Sequence, residues 1–272
     1  MAHWLKSKLI VAAAIGAVVL PGATAAQASV NEATIPTERF VELPLKDGEH
    51  VDILVVRPNH PRGAIVMLPG GSGDIGLSRD ANPRHGDNFV VRTRKLWAAH
   101  GYAVLIPDTI DRANLRGERS TPRYAGIVND IVSFAHAQSF GPIFLLGTSQ
   151  GSIAATNGAA HASAGSLAGV VLTESVSVMG GSHETVFDSA PQDVRAPVLI
   201  VANRDDKCTV APPEMASRIA AAMRGSRDVR VLAVSGGTKR SDNDCGSLTP
   251  HGYFGMEDNV VNAISKWMDA RL

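Results

Sequence analysis

The chain has 272 residues, 44% of them hydrophobic, and 26 Lys plus Arg residues balance 26 Asp plus Glu residues. This length suits a single α/β domain with a sizeable core. The balanced charge, with no basic stripe, argues against nucleic acid as a partner.

Residues 1–28 have the composition of a secretory signal peptide. Two lysines precede an apolar run from Leu9 to Leu20, and small residues follow. The run is too short for a membrane span, which needs about 20 residues. We therefore expect cleavage after Ala28, with Ala25 as the alternative, a secreted or periplasmic protein, and one mature domain at 29–272 without a membrane span.

Eight short apolar runs indicate β-strands, and they lie at 39–45, 51–58, 64–69, 102–108, 142–147, 168–174, 197–203 and 229–234. The first two alternate apolar and polar residues, which is typical of a half-exposed antiparallel pair. The later runs are continuous in Val, Ile and Leu, as in strands that are covered on both faces.

From the third strand onward, helix patterns alternate with the strands, and they lie at 89–101, 121–138, 152–162, 212–225 and 256–272. Thr121 and Pro122 are start signals, and Gly101 is a stop signal. The alternation predicts an α/β protein with an eight-stranded, mostly parallel sheet and helices on both faces. Functional residues of such a sheet lie in loops beyond the carboxyl ends of its strands.

Residues 147–151 read Gly-Thr-Ser-Gln-Gly, between a predicted buried strand and a helix rich in small residues. A sharp strand-to-helix turn there would hold the hydroxyl of Ser149 above the edge of the sheet. The helix start also supplies free N–H groups that favour an anion. We interpret Ser149 as a nucleophile, the alternative being a serine that caps the helix.

A serine nucleophile needs a base, and His251 is the best placed of nine histidines. It lies between the last strand and the last helix, beyond a strand's carboxyl end. His85 and His183 are weaker candidates, because their loops could lie on the same side of the sheet. An imidazole base also needs a carboxylate that fixes its tautomer.

The acid is expected in the loop after the strand at 197–203, where Asp205 and Asp206 are adjacent. We favour Asp206, because the first residue of such a pair more often completes the turn. Asp205 remains an alternative. Glu174, at the end of the preceding strand, is a third candidate. Asp108 is interpreted as structural.

The chain order Ser149, Asp206, His251 is the order of the α/β-hydrolase fold. Over the whole mature length the chain resembles the α/β-hydrolase superfamily, and within it the small, lid-poor branch that includes dienelactone-hydrolase-like proteins. The resemblance implies a serine hydrolase without a cofactor or metal. Dienelactone hydrolases use a cysteine nucleophile, so Ser149 points to general ester chemistry instead.

Acyl transfer also needs N–H donors for the negative oxygen of its intermediate. One donor is expected from Gln150, the residue after the nucleophile. The loop after the third strand resembles the superfamily's His-Gly-Gly-Gly loop, with Pro69 in place of the histidine. We expect Gly71 or Ser72 to provide the second donor.

Cys208 and Cys245 are the only cysteines. In an exported chain they are expected to form a disulfide, which would tie the loop of Asp206 to the loop of His251. Only residues 175–196 separate the sixth and seventh strands, too few for a lid domain. We therefore expect an exported hydrolase of small carboxylic esters with an open site. A thioesterase, a peptidase and a non-catalytic binding or scaffold protein of the same fold are the alternatives.

Overall fold

The computed structural model describes residues 1–2 and 36–272. Eight strands in it form one sheet: β1 Thr37–Pro44, β2 His50–Arg57, β3 Gly63–Leu68, β4 Tyr102–Pro107, β5 Ile143–Thr148, β6 Gly169–Thr173, β7 Val198–Asn203 and β8 Val229–Val234. Every predicted strand is present, with its ends within a couple of residues of the prediction. The predicted signal peptide falls almost wholly in residues 3–35, which are outside the described residues.

The strands are ordered β1-β2-β4-β3-β5-β6-β7-β8 across the sheet. β1 pairs with β2, and β2 with β4, in antiparallel fashion, and all other neighbours are parallel. The register places Thr148 opposite Thr173, and Thr173 opposite Val201. The loops that follow β5, β6 and β7 therefore leave the sheet at the same edge.

Six α-helices accompany the strands in the described part: α1 Phe89–Arg92, α2 Arg94–Ala99, α3 Pro122–Ala137, α4 Gly151–Ala160, α5 Ala216–Ala222 and α6 Glu257–Asp269. The single helix predicted at 89–101 is instead two short helices that meet at Thr93. The Thr93 hydroxyl donates to the Phe89 carbonyl over 2.6 Å, and this side-chain bond competes with the regular helical ladder.

The hydrophobic core lies in two layers, one on each face of the sheet. Helices α3, α4 and α5 cover one face, where Val66 and Leu145 point. Helices α1, α2 and α6 cover the other, where Ile65 and Leu146 point. Alternate residues of the central strands are thus buried on both sides, which confirms the prediction from their continuous apolar sequences.

β8 departs from that prediction, because it is an edge strand with a neighbour on one side alone. Its residues are exposed or half-buried, and Val231 is 46% exposed. A run of Val and Leu residues does not distinguish a central strand from an edge strand, since both can be apolar.

The segment between β6 and β7 contains two single 3₁₀ turns, Val186–Asp188 and Pro191–Asp193, and no inserted domain. The expected absence of a lid domain is therefore confirmed for this segment. Among the described residues, none of the helices has both the length and the apolarity that crossing a bilayer requires.

Candidate active site

Ser149 occupies the sharp turn between β5 and α4. Its φ of 53° lies in the left-handed region, where a residue with a Cβ is strained. The turn is held by the Ser149 N–H, which donates to the Thr173 carbonyl of the neighbouring β6 over 2.9 Å. The side chain is half-buried and stands at the edge where β5, β6 and β7 end.

The two glycines that flank this turn allow the backbone to approach closely. A Cβ on Gly147 would lie 2.1 Å from the carbonyl oxygen of Gly151, and a Cβ on Gly151 would lie 2.0 Å from that of Leu68 in β3. Neither gap accommodates a methyl group. Glycine is therefore needed at both positions of the G-x-S-x-G sequence, because the first turn of α4 contacts β5 and β3 directly.

His251 reaches this serine from the other end of the chain. It lies in the 3₁₀ turn Pro250–Gly252 before α6, where its N–H donates to the Thr249 hydroxyl over 3.2 Å. The residue is 3% exposed. Its Nε2 lies 2.9 Å from the Oγ of Ser149.

Asp206 completes the row behind the histidine. Its Oδ2 lies 2.7 Å from Nδ1 of His251, and its Oδ1 accepts the Cys208 N–H over 2.8 Å. The carboxylate is fully enclosed. An imidazole that donates from Nδ1 to Asp206 leaves Nε2 free to accept the proton of Ser149.

The other acidic candidates have different partners. Asp205 accepts the Gly236 N–H over 2.7 Å and so joins the loop after β7 to the loop after β8. Asp108 accepts the N–H groups of Ile75 and Leu77, as its structural interpretation requires. Glu174 accepts the Asn203 N–H over 2.8 Å and lies close behind Asp206. Of these three carboxylates, Glu174 is the one that lies near Asp206 and His251.

The two weaker histidine candidates lie apart from this row. His85 and His183 are exposed, and the His85 ring bonds the carbonyl of Asp74 over 3.0 Å. His251 is the histidine that contacts Ser149 within the described residues.

The glycine loop after β3 lies against Ser149. A Cβ on Gly70 would be 3.1 Å from the Cβ of Ser149, and Gly71 has a φ of 61°. The N–H groups of Gly71, Ser72 and Gln150 donate to no acceptor within the described residues. All three expected donors are therefore available for an oxyanion, and their assignment to that role is part of the proposal below.

The side chains that support the glycine loop from beneath were not predicted from the sequence. Arg119 is 1% exposed, and its guanidinium donates to the Pro69 carbonyl over 3.2 Å. The carboxylate of buried Glu184 accepts the N–H groups of Gly117 and Ser120 and holds the segment that carries the arginine. No sequence signal separates Arg119 from the other arginines of this polar segment, because only packing buries it.

Cys208 and Cys245 form a disulfide, as expected from their number. Cys208 belongs to the same loop as Asp206, and Cys245 precedes the turn that contains His251. The bridge therefore links the segment carrying the acid to the segment carrying the imidazole.

An open cavity of about 380 Å³ lies beside the glycine loop and is lined by Gly71, Ser72, Asn88 and Ser247, among others. A larger cavity, of about 550 Å³, lies along α3 and is lined neither by the glycine loop nor by Ser149, Asp206 or His251. The first cavity is the candidate substrate site, because the glycine loop that lines it lies against Ser149, although Ser149, Asp206 and His251 do not themselves line it.

Two groups of side chains in the described part have the composition of metal ligands. One is Glu42, His50 and Asp52 in β1 and β2, and the other is Glu174, Asp206 and His251. In the second group both nitrogens of His251 and both oxygens of Asp206 already have protein partners. This arrangement suits proton transfer better than metal coordination.

Comparison with known proteins finds no matching family model and no matching curated protein. Solved structures do match. A dienelactone hydrolase from Anabaena variabilis ATCC 29413 is 16% identical, with a TM-score of 0.62 over 88% of this chain and 99% of that one. An esterase from Pyrococcus furiosus is 10% identical, with a TM-score of 0.62 over 87% and 92%.

A puromycin-hydrolysing peptidase from Mycobacterium tuberculosis is 14% identical, with a TM-score of 0.62 over 89% of this chain but 40% of that one. At these identities the matches establish the fold. The chain has the α/β-hydrolase fold, as its resemblance to dienelactone-hydrolase-like proteins implied.

Proposed function

We propose that this protein is a serine hydrolase of carboxylic esters, with Ser149 as nucleophile, His251 as base and Asp206 as the acid that orients it. The observation that carries the proposal is the continuous row of hydrogen bonds, 2.9 Å from Ser149 to His251 and 2.7 Å from His251 to Asp206. A serine hydroxyl becomes a good nucleophile when such a base takes its proton.

In the first half of the reaction, the Ser149 oxygen attacks the ester carbonyl while Nε2 of His251 takes the hydroxyl proton. The carbonyl oxygen gains the negative charge, and the N–H groups of Gln150 and of Gly71 or Ser72 stabilise it. The charged imidazolium is stabilised by Asp206. Collapse of the intermediate expels the alcohol, which receives the proton from His251, and leaves an acyl-serine.

In the second half, water replaces the alcohol. The water oxygen attacks the acyl-serine carbonyl while His251 takes a proton from the water. The second tetrahedral intermediate forms in the same N–H cradle. When it collapses, the proton returns to the Ser149 oxygen and the carboxylic acid leaves. No cofactor enters this cycle.

Three observations favour small esters over peptides. The cavity beside the glycine loop is open and modest in size. Two of the reported structural neighbours, which the chain covers almost from end to end, are described as a dienelactone hydrolase and an esterase. The peptidase neighbour is matched over 40% of its length alone.

Export belongs to the same proposal. The composition of residues 1–28 supports a signal peptide, and the disulfide fits an oxidising compartment. Amino-terminal sequencing of the protein recovered outside the cytoplasm tests this point, with a start at residue 29 as the expected result and an intact Met1 as the contrary one.

A fluorophosphonate probe tests the serine mechanism, because it reacts with an activated serine. We expect labelling of the wild type and none of Ser149→Ala. Ser133→Ala is the control, since Ser133 is an exposed serine of α3, and it should label normally. A wild type that neither labels nor cleaves any ester would favour a binding or scaffold role for the same fold.

A panel of p-nitrophenyl esters with lengthening acyl chains then defines the substrate class. Matched thioester and amide substrates separate the thioesterase and peptidase alternatives from the esterase. We expect ester cleavage to have the largest kcat/KM and to disappear with the labelling in Ser149→Ala.

A further inference from the structure

Glu174 is a buried carboxyl group that the reaction above does not use. It follows β6 directly, is 1% exposed, and has a φ of 44°. The left-handed region is unfavourable for any residue with a Cβ. The backbone is held there by the Glu174 N–H, which donates to the Val201 carbonyl of β7 over 3.2 Å.

The Glu174 side chain points beneath the loop that carries Asp206. One oxygen, Oε1, accepts the Asn203 N–H over 2.8 Å. The other, Oε2, is buried and receives no hydrogen bond from any donor of the described residues. A buried oxygen without a donor is costly for an ionised carboxylate, whereas a protonated oxygen can itself donate.

Asp206 is a carboxylate acceptor that lies close to Glu174. An oxygen of Glu174, an oxygen of Asp206 and a ring nitrogen of His251 all lie within 4.8 Å of one another. Two enclosed carboxyl groups this close cannot both ionise at modest cost, but they bond well when they share one proton.

We propose that Glu174 is a positioning residue which keeps a proton on its free oxygen and donates it to Asp206, so that the carboxylate stays aligned with His251. The inference rests on the proposed function, because alignment matters only if His251 and Asp206 act on Ser149. The pair then carries a single negative charge, located on the residue that faces the imidazole.

The electrostatics agree with this geometry. Burial, reinforced by the negative charge of Asp206, raises the pKa of the Glu174 carboxyl well above its ordinary value of 4.5. The groups that face Glu174 are Asp206 from the loop after β7, and His251 and Tyr253 from the loop before α6. Burial likewise raises the pKa of Tyr253 well above its ordinary value, so the phenol is neutral. Hydrogen bonds with the Tyr253 hydroxyl and the Asn203 N–H lower the pKa of Glu174, but burial and Asp206 outweigh them, and neither Asp206 nor Tyr253 carries a positive charge.

Glu174→Gln is the informative variant, because an amide keeps the shape, the neutral charge and a donor toward Asp206. We expect its kcat to stay within about threefold of the wild type and the acid limb of its kcat/KM profile to be unmoved. Glu174→Ala removes the donor, and we expect kcat to fall roughly tenfold or more at nearly constant KM, the loss of a hydrogen bond to a charged group.

An ionised Glu174 would give a different profile. Replacing a negative charge near His251 by a neutral amide would destabilise the imidazolium, and the acid limb in Glu174→Gln would move to lower pH. That shift would overturn the proposal, as would wild-type kcat in Glu174→Ala. Glu184→Gln is the matched control: it also replaces a buried glutamate by its amide, but one whose partners are Gly117 and Ser120, and its acid limb should be unmoved.

Infrared difference spectroscopy separates this inference from the proposed function, because it needs no turnover. We expect the carbonyl stretch of a protonated carboxylic acid in the wild type near neutral pH and its absence in Glu174→Gln. If this band is missing, the proton assignment is wrong even in an active esterase. If the band is present in a wild type that cleaves no ester, it is the proposed function that fails.

Discussion

The side-chain amide of Asn203 donates to the carbonyl of Pro250, the residue immediately before His251, over 3.0 Å. The same amide nitrogen donates to the Gly236 carbonyl over 3.0 Å, and the amide oxygen accepts the Asp205 N–H over 3.2 Å. Asn203 is the last residue of β7 and is fully buried. One side chain therefore joins the strand that presents the acid to the loop that presents the base.

Replacing Asn203 by alanine should impair both folding and catalysis. The change removes the amide that donates to two carbonyl groups, one exposed (Gly236) and one half-buried (Pro250), which costs about 1–3 kcal/mol. Denaturant unfolding measures this loss, and kcat on an ester should fall with it, because the His251 loop is no longer tied to β7. Asn157→Ala is the control, since Asn157 is an equally buried asparagine that donates to the carbonyls of Arg119 and Thr121. We expect a similar loss of stability there with a smaller loss of kcat.

The neighbouring aspartates should differ sharply in their contribution to activity. Asp206→Asn keeps the shape but destroys the acceptor for Nδ1 of His251, and we expect kcat to fall by about 10³- to 10⁴-fold. Asp205→Asn weakens the bond to the Gly236 N–H, which joins the loops after β7 and β8, and should lower kcat by less than about tenfold. Steady-state kinetics on the best p-nitrophenyl ester decide between them. The reverse order of effects would identify Asp205 as the acid.

The glycines that flank the nucleophile should tolerate no side chain. Gly147→Ala and Gly151→Ala each drive a methyl group to within about 2 Å of a backbone oxygen, so we expect little soluble protein and a large drop in the unfolding midpoint. Gly126→Ala in α3 is the control, because nothing lies within 4 Å of its added Cβ. That variant should be more stable by up to about 1 kcal/mol. A soluble Gly151→Ala protein that unfolds at the wild-type temperature would contradict this close approach.

Loss of the disulfide should weaken the fold and loosen the site. The bridge closes a sequence separation of 37 residues, for which the loop-entropy model gives about 4 kcal/mol. The paired variant Cys208→Ser/Cys245→Ser should unfold at a lower denaturant concentration. Its free energy of unfolding should be lower by about that amount. At temperatures where it remains folded, we expect kcat to fall by up to about 100-fold if the bridge keeps acid and base in register. Unchanged kcat would restrict the bridge to a stabilising role.

The raised pKa of Glu174 predicts how stability depends on pH. Above its ordinary pKa of 4.5 the unfolded carboxyl releases a proton that the folded one keeps. The unfolded state then binds fewer protons, so this group makes the wild type less stable as pH rises, by at most about 1.4 kcal/mol per pH unit. Glu174→Gln lacks the contribution, and its free energy of unfolding should gain on the wild type from about pH 4.5 upward. A difference that is constant with pH would mean an ordinary pKa in the folded protein.

Several parts of the site could be predicted from local sequence because they depend on contacts along the chain or on strand order. Ser149 was recognisable from two glycines, a preceding buried run and a following small-residue helix. His251 and Asp206 could be placed after particular strands, since the ends of parallel strands share an edge. The choice of Asp206 over Asp205 rested on a turn preference, and the structure places these two carboxylates against His251 and Gly236 respectively.

Other parts depend on contacts between distant segments, which no local pattern encodes. Arg119 reads as one more arginine in a polar loop, yet it is enclosed beneath Pro69. β8 reads as a buried strand, yet its position at the sheet edge leaves it half exposed. Asn203 reads as the end of a strand, and its bonds reach residues 33 and 47 positions away.

The amino-acid sequence by itself determined the α/β class, the eight strands, the tight serine turn and the chain order of Ser149, Asp206 and His251, because hydrophobic period and glycine spacing act over a few residues. Only the tertiary structure decided which carboxylate faces the imidazole, which arginine and asparagine support the loops, and that Glu174 lies against Asp206. Burial and hydrogen bonding between segments far apart in the chain set those relationships, and they exist only once the sheet has assembled.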